Sequence, residues 1–483
     1  MDLAINLDAN SSIPLHRQLY AELRQLILGG KILPKQKIPS TRSLSQSLNI
    51  SRTTVTQCYE QLISEGYLQT IIGSGTFVSA ELPDNLLKLE PITNNLKTAS
   101  LPLNLSNYGK NLTKLNIPGI NELNSPISFR YGSPALEQFP IKVWRKLFAR
   151  HCNNINLLGY STDLLGHQPL RQAICNYLKT VRAINCHPGQ ILITNGSGQG
   201  LDLITRLLIS PGQAIALENP GYLAARRIFQ MQQAHLLPIP VDQSGLIISK
   251  LFTLPKPKLV YITPSHQFPT GAVLSLTRRL ELLNWAQQTE TVIIEDDYDS
   301  EFRYSSRPIP ALQGLDRHNV VIYLGTFSKI MFPSLRIGYL VLPETLIRVF
   351  ASARWLADRH TPALEQQMLT DFIIEGHLER HIRKMRHLYD RRRQTLVQAL
   401  IKYFGTRVTI FGENAGIHLM VKIDSSLTDQ EIITSAAKLD IDLVSTKIYY
   451  LEAETKGEFL FGYSELTEVQ IEEGIYKLAL IIT

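Results

Sequence analysis

The chain has 483 residues, 49 Lys and Arg against 42 Asp and Glu, and a formal net charge of +7. That length predicts about three folding units, the mild basicity permits a nucleic-acid partner, and no apolar run approaches the ~18 residues needed to span a bilayer. Cys58, Cys152, Cys175 and Cys186 form no CxxC pair and the N-terminus has no apolar signal core, so neither disulfides nor a zinc site is expected, no metal is assigned, and the expected compartment is the reducing cytoplasm.

From the N-terminus, Leu15, Leu19, Leu23, Leu26 and Ile27 recur at helical spacing until Gly29-Gly30. Ser40 is the expected N-cap of a short helix ending near Leu48, and Ser51 that of the next, whose inward face is read as Val55, Tyr59, Leu62 and Ile63, with Gly66 ending it. YLQTIIGSGTFVS alternates around Gly73-Ser74-Gly75, which predicts a hairpin. Three helices and a β-wing over residues 12–79 make a winged helix-turn-helix. Its third helix crowds Ser51, Arg52, Thr53, Thr54 and Thr56 at the N-terminal end, where side chains reach base edges and exposed amides favour phosphate. Ser40 and Arg42 are placed to touch the DNA backbone, and Gly73 and Gly75 let the wing approach a groove closely.

Residues 80–126, rich in Asn, Pro, Leu and Ser without sustained periodicity, read as a linker. Beyond it, β-like runs at 191–194, 214–218, 258–263, 291–296, 320–325 and 338–342 alternate with helical patterns, predicting a mostly parallel sheet in a layered α/β domain. A smaller α+β portion follows from about residue 350 to the end, within a unit covering 127–483.

The segment 322–342, IYLGTFSKIMFPSLRIGYLVL, sets a single lysine, Lys329, in a loop between two apolar runs. That is where a Schiff-base lysine belongs: an amine at the mouth of a sheet, with Thr326 and Arg336 nearby to take a phosphate dianion. ITNGSGQGL predicts a strand, a Gly-rich turn and a helix start at which the amides of Ser197 and Gly198 can hold phosphate. IIEDDYDSEF ends a strand in acids at its carboxyl end, where ligands gather in open α/β sheets; Asp296 and Asp297 both remain candidates at this level.

The motif IPSTRSLSQSLNISRTTVTQCYEQLISEGYLQTIIGSGTFVS closely resembles the winged helix of GntR-type regulators, with Pro34-Lys35-Gln36 where that family usually has a Pro-Gly turn. Residues from about 127 onward resemble fold-type I aminotransferases, and the fusion resembles the MocR/GabR group of bacterial regulators. The resemblance implies a pyridoxal 5'-phosphate (PLP) cofactor on Lys329, with Asp296 against the pyridine nitrogen, Tyr298 on the ring hydroxyl and Tyr222 stacked on the ring. It further implies a homodimer on double-stranded promoter DNA, regulated by PLP or an amino compound. The loop YSTDLLGHQPLR resembles the dimer-forming loop of that fold.

Departures from working aminotransferases matter as much. Phe268 stands where those enzymes carry an Asn that bonds the ring oxygen, so Gln267 or His266 is the expected substitute. No arginine follows Arg407 to clamp a substrate carboxylate, and Ala224 stands where a GABA-sensing relative would carry a second one, with Arg226 and Arg227 out of register. A sensing regulator is therefore the expected function; the alternative is a competent aminotransferase whose winged helix regulates its own operon. His377 and His381, one helical turn apart, are read as part of a solvated basic helix, with DNA phosphates as its other possible contact, rather than as a metal pair.

Overall fold

The computed structural model describes residues 5–8, 11, 13–86, 104–115, 125–160, 163–304, 309–452 and 455–482. The chain divides into two compact units, residues 1–104 and 105–483.

In the first unit, α1 (Leu15–Leu28), α2 (Thr41–Ser47) and α3 (Arg52–Ser64) precede a hairpin of β1 (Leu68–Ile71) and β2 (Gly75–Val78). Ser40 Oγ accepts from the Ser43 amide at 3.1 Å and Ser51 Oγ from the Thr53 amide at 3.2 Å, so both predicted caps close their helices. Leu19, Leu23, Ile27, Leu44, Val55, Tyr59, Leu62 and Val78 share one core. The predicted inward face of α3 needs one correction. Cys58 is buried, whereas Ile63 is 37% exposed, because positions 55, 58, 59 and 62 form the i, i+3, i+4, i+7 row and 63 falls off it. Lys35 adopts φ +63°, the left-handed conformation that glycine takes most easily, and its amide donates to Val78 O.

The span 80–126, expected to be a plain linker, contains short helices at Pro83–Leu86 and Asn107–Leu112. The rest of that expectation, residues 87–103 and 116–124, lies outside the described residues.

The second unit is built on an eight-stranded sheet: β3 (Ile191–Thr194), β4 (Ala214–Asn219), β5 (His235–Asp242), β6 (Gly245–Leu246), β7 (Leu259–Ile262), β8 (Val292–Asp297), β9 (Val321–Thr326) and β10 (Gly338–Val341). Their order is β3-β10-β9-β8-β7-β4-β5-β6. The pairs from β9 to β5 are parallel, while β10 runs antiparallel to both its neighbours and β6 antiparallel to β5. Near-continuous burial of these strands reflects helices on both faces. Sequence patterning missed β5, whose Pro238 and Pro240 argue against a strand. It is tolerated because β5 has little partner strand on its outer side: β6 pairs only with Val241 and Asp242, and beyond them the Ile247 amide donates to Pro240 O, which needs no donor from the proline.

Four helices matter below: α4 (Ile141–His151), α5 (Gln168–Arg182), α6 (Ser197–Leu208) and α7 (His377–Phe404). The C-terminal portion adds an antiparallel sheet in the order β11 (Val408–Phe411), β12 (His418–Ile423), β14 (Glu458–Gly462), β13 (Val444–Ser445). Phe459, Phe461, Leu419 and Val421 of this sheet pack with Leu388, Leu396 and Leu400 of α7. Among the described residues no helix is long and apolar enough to cross a membrane.

Candidate functional site

Strands β4, β7, β8 and β9 run parallel, so their carboxyl ends open on one edge of the sheet, and the loops that follow deliver side chains there. A cavity of about 150 Å³ lies at that edge, lined by Ser197, Tyr222, Asp296, Tyr298, Thr326, Lys329 and Arg336. Seven of the eight residues predicted to hold a cofactor thus converge; Gly198, at the start of α6, is outside the lining. Tyr131, Tyr261, Thr263 and Ser328 also face the cavity and had not been singled out from the sequence. Their signal was absent because each comes from an element remote from the lysine motif or carries no distinctive local pattern.

Lys329 Nζ donates to Gly132 O and sits 4.7 Å from the centroid of the Tyr131 ring. Burial lowers its pKa to about 8, with Asp299, Glu465 and Asp296 opposing the shift. Across the cavity, burial raises Asp296 to about 7, against a 2.6 Å hydrogen bond donated by Tyr261 Oη. Asp297 points the other way: it pairs with Arg182 Nε at 2.8 Å and accepts from Tyr323 Oη at 2.6 Å. Of the two sequence candidates, Asp296 alone lines the cavity.

Arg336 donates to Asn195 O at 3.1 Å, beside the start of α6. Gly196 has φ +84°, and a Cβ there would lie 2.9 Å from the Arg336 guanidinium, so the turn is glycine because the cation occupies that space. A guanidinium, the hydroxyls of Ser197 and Thr326 and the helix N-terminus together form a cradle for a dianion.

The loop after β7 departs from expectation. Gln267 was expected to point at the ring oxygen, but its Nε2 donates to Pro220 O and Phe268 O while its Oε1 accepts from the amide and hydroxyl of Thr270, so it braces its own loop. His266 is buried behind Tyr298: its Nδ1 is 3.0 Å from the Asp299 carboxylate, and Tyr298 Oη donates to His266 O at 2.8 Å. Phe268 lines the cavity in their place. Glu218, raised to about 7 by burial, accepts from the amide and hydroxyl of Thr263. His266, Asp299 and His418 bring one ligand atom each within 4.8 Å of one another, the one such grouping among the described residues. The other histidine pair does not converge: His381 is bonded to Ile330 O, and His377 lies 3.1 Å from Glu375.

Neither β14 nor its flanks bring an arginine to the cavity, and Leu460 of β14 is buried. Arg226 donates to Tyr450 O at 2.9 Å and Ile448 O at 2.8 Å, holding that segment rather than facing the cavity.

On the first unit, Ser40, Arg42, Ser51, Arg52, Thr53 and Gly73 are exposed while Thr54, Thr56 and Gly75 are half-buried. Thr56 Oγ1 donates to Arg52 O, fastening that hydroxyl to its own helix. Gly75 has φ +115° and packs against the aliphatic stem of Lys37, a wing cation that sequence reading had passed over. Ile72, 98% exposed, forms the wing tip.

Residues 15–78 match the family model described as "Bacterial regulatory proteins, gntR family", and residues 127–477 match "Aminotransferase class I and II". Along nearly its whole length the chain is 34% identical to the probable rhizopine catabolism regulatory protein MocR of Rhizobium meliloti, covering 98% of this chain and 94% of that protein. It is 31% identical to the HTH-type pyridoxine biosynthesis transcriptional regulator PdxR of Corynebacterium glutamicum, over 97% and 96% of the two chains. In structure it resembles LysN, the alpha-aminoadipate aminotransferase of Thermus thermophilus, with a TM-score of 0.71 and 27% identity over 77% of this chain and 96% of that one. The chain belongs to the HTH-type transcriptional regulators in which a gntR-family unit precedes an aminotransferase class I and II unit.

Proposed function

We propose that this regulator holds pyridoxal 5'-phosphate in the cavity at Lys329 and couples its presence to promoter binding by the winged helix. The observation that carries the reading is the facing of a buried amine of lowered pKa and a buried carboxylate across one cavity that ends in the Arg336 cradle. When bound, PLP supplies an aldehyde and an electron-withdrawing pyridine ring. In this reading Lys329 binds the aldehyde carbon, Asp296 holds a proton on the ring nitrogen, Tyr222 covers the ring, and Arg336 with Ser197, Thr326 and the α6 amides takes the phosphate. Tyr298 fits less directly, since its hydroxyl is engaged with His266 O. Ser40, Arg42, Ser51 to Thr54, Thr56 and the wing glycines are assigned to DNA.

A homodimer in the cytoplasm completes the reading, supported by the exposed apolar side chains of Ile155, Leu158, Tyr160 and Leu356, which a lone chain would leave in water. Two readers per dimer fit two half-sites. The missing carboxylate clamp favours sensing over turnover, and the pyridoxine-related regulator among its relatives makes PLP itself the simplest effector. The test is a titration of DNA from the protein's own upstream region with the apo and PLP-loaded forms. A difference in affinity is expected; a protein that takes up no PLP, or whose two forms bind DNA equally, would contradict the proposal.

A further inference from the structure

The winged helix carries part of the positive charge of this protein: residues 12–79 contain seven Lys and Arg against three Asp and Glu, a net +4. Residues 1–104 contain nine Lys and Arg against eight Asp and Glu, a net +1, so the remaining 40 against 34 leave +6 on residues 105–483. A surplus of +6 therefore lies on residues 105–483, outside the winged helix, where it can add to the phosphate neutralisation that dominates affinity for a duplex.

Part of that surplus is concentrated on one face of the second unit. On α4, Lys142, Arg145 and Lys146 are exposed at i, i+3 and i+4, and therefore lie on one side of the helix. On α7, Arg380, Lys384 and His387 are exposed at i, i+4 and i+7. The two rows meet at a groove of about 470 Å³ to which Lys142, Arg380 and Lys384 all contribute. Elsewhere on these helices cations are neutralised: Arg150 by Asp371 at 2.6 Å, Arg383 by Glu379 at 2.9 Å, Arg391 by Glu468 at 3.4 Å. Among the described residues Lys142, Arg145, Lys146, Arg380 and Lys384 have no carboxylate within ion-pair distance, and the groove's own acid, Glu137, is taken by Arg392 at 3.0 Å. Five unpaired like charges on adjoining helices repel one another, an arrangement that a polyanion relieves.

We propose that this α4–α7 face is a second DNA contact, in which the aminotransferase-like unit neutralises duplex phosphates without reading sequence. The inference rests on the regulator reading. The row from Arg380 to His387 rises about 10 Å, some three phosphate steps along a strand, and the charge continues past the groove onto α4. Such an extended strip fits a duplex better than a single small anion. Because both units belong to one chain, DNA held by the winged helix is available to the second unit at tethered concentration.

The experiment measures full-length protein binding a 60-base-pair duplex of arbitrary sequence by fluorescence anisotropy, from 50 to 200 mM NaCl. Wild type is compared with Lys142→Glu/Lys384→Glu and with a control of equal charge change, Lys402→Glu/Lys477→Glu, at lysines paired with Glu472 and Glu473. The first variant is expected to bind at least tenfold more weakly at low salt, with a slope of log affinity against log salt shallower by about two, and the control to change little. Thermal melts check that both fold, and Lys142→Gln/Lys384→Gln repeats the test without charge reversal. Equal behaviour of the two Glu variants would overturn the inference alone, as would loss of binding to phosphatidylserine vesicles with duplex binding intact. A wild-type protein that binds no duplex would overturn the regulator reading with it.

Discussion

A Cβ atom at position 196 would lie 2.9 Å from the guanidinium of Arg336, and Gly196 holds φ +84°. The cradle therefore depends on a missing methyl group. Gly196→Ala is expected to cost roughly 1–3 kcal/mol of stability and to weaken PLP binding by about tenfold or more, since the arginine must move. At Gly198 an added Cβ meets nothing within 4 Å, so Gly198→Ala should leave both nearly unchanged. Thermal melts and absorbance titration of the apo protein measure the two effects, and equal behaviour of the variants would count against the cradle.

Lys329→Ala should abolish covalent attachment of PLP, read as absorbance retained after borohydride treatment and dialysis. The wild-type rate of PLP capture should follow the neutral fraction of this amine. With a pKa lowered to about 8 by burial, the rate is expected to rise through pH 6 to 8 and to level off above it, rather than climbing toward the usual lysine range near 10.5. Stopped-flow absorbance over pH 6–10 decides between the two profiles.

Arg52 is exposed at the N-terminus of α3, and among the described residues its side chain makes one long 3.4 Å hydrogen bond, to Thr41 Oγ1. Arg52→Ala should weaken specific DNA binding by ~1–3 kcal/mol if the side chain reads a base edge, or lower the salt slope by about one if it meets a phosphate. PLP uptake should not change. Loss of PLP in this variant would contradict the separation of the two tasks.

No arginine follows Arg407, and Arg226 is engaged with backbone carbonyls. An amino acid entering the cavity would leave its carboxylate without a bidentate partner. Consumption of the cofactor's visible absorbance by a panel of amino acids should therefore be very slow, and GABA should be a poor effector of DNA binding. Rapid conversion by any member of the panel would restore the enzyme reading.

Several features were legible because they are local. Ser40 and Ser51 each cap an amide two or three residues away, so a tetrapeptide carries that information. The strands that bear Asp296 and the Lys329 loop are short apolar runs bounded by turn residues, and the order of the motifs along the chain pointed to one site. By contrast, β5 was hidden by Pro238 and Pro240, whose tolerance depends on how little of β5 its outer neighbour covers. The bracing of Gln267 by Thr270, Pro220 and Phe268 likewise depends on loop conformation, which residue identity does not dictate.

Asp296 and Asp297 mark the boundary most clearly. Residue identities alone establish that two adjacent acids end a buried strand, and the two-residue period of a strand means that they face opposite sides. Which side holds the cavity is a property of the assembled layers. Arg182, more than a hundred residues earlier on α5, packs beneath the sheet and pairs with Asp297, leaving Asp296 to Tyr261 and the cavity at Lys329. A buried carboxylate is stable where a partner or a hydrogen bond compensates its lost hydration, and it takes the folded chain to bring those partners from so far along the sequence.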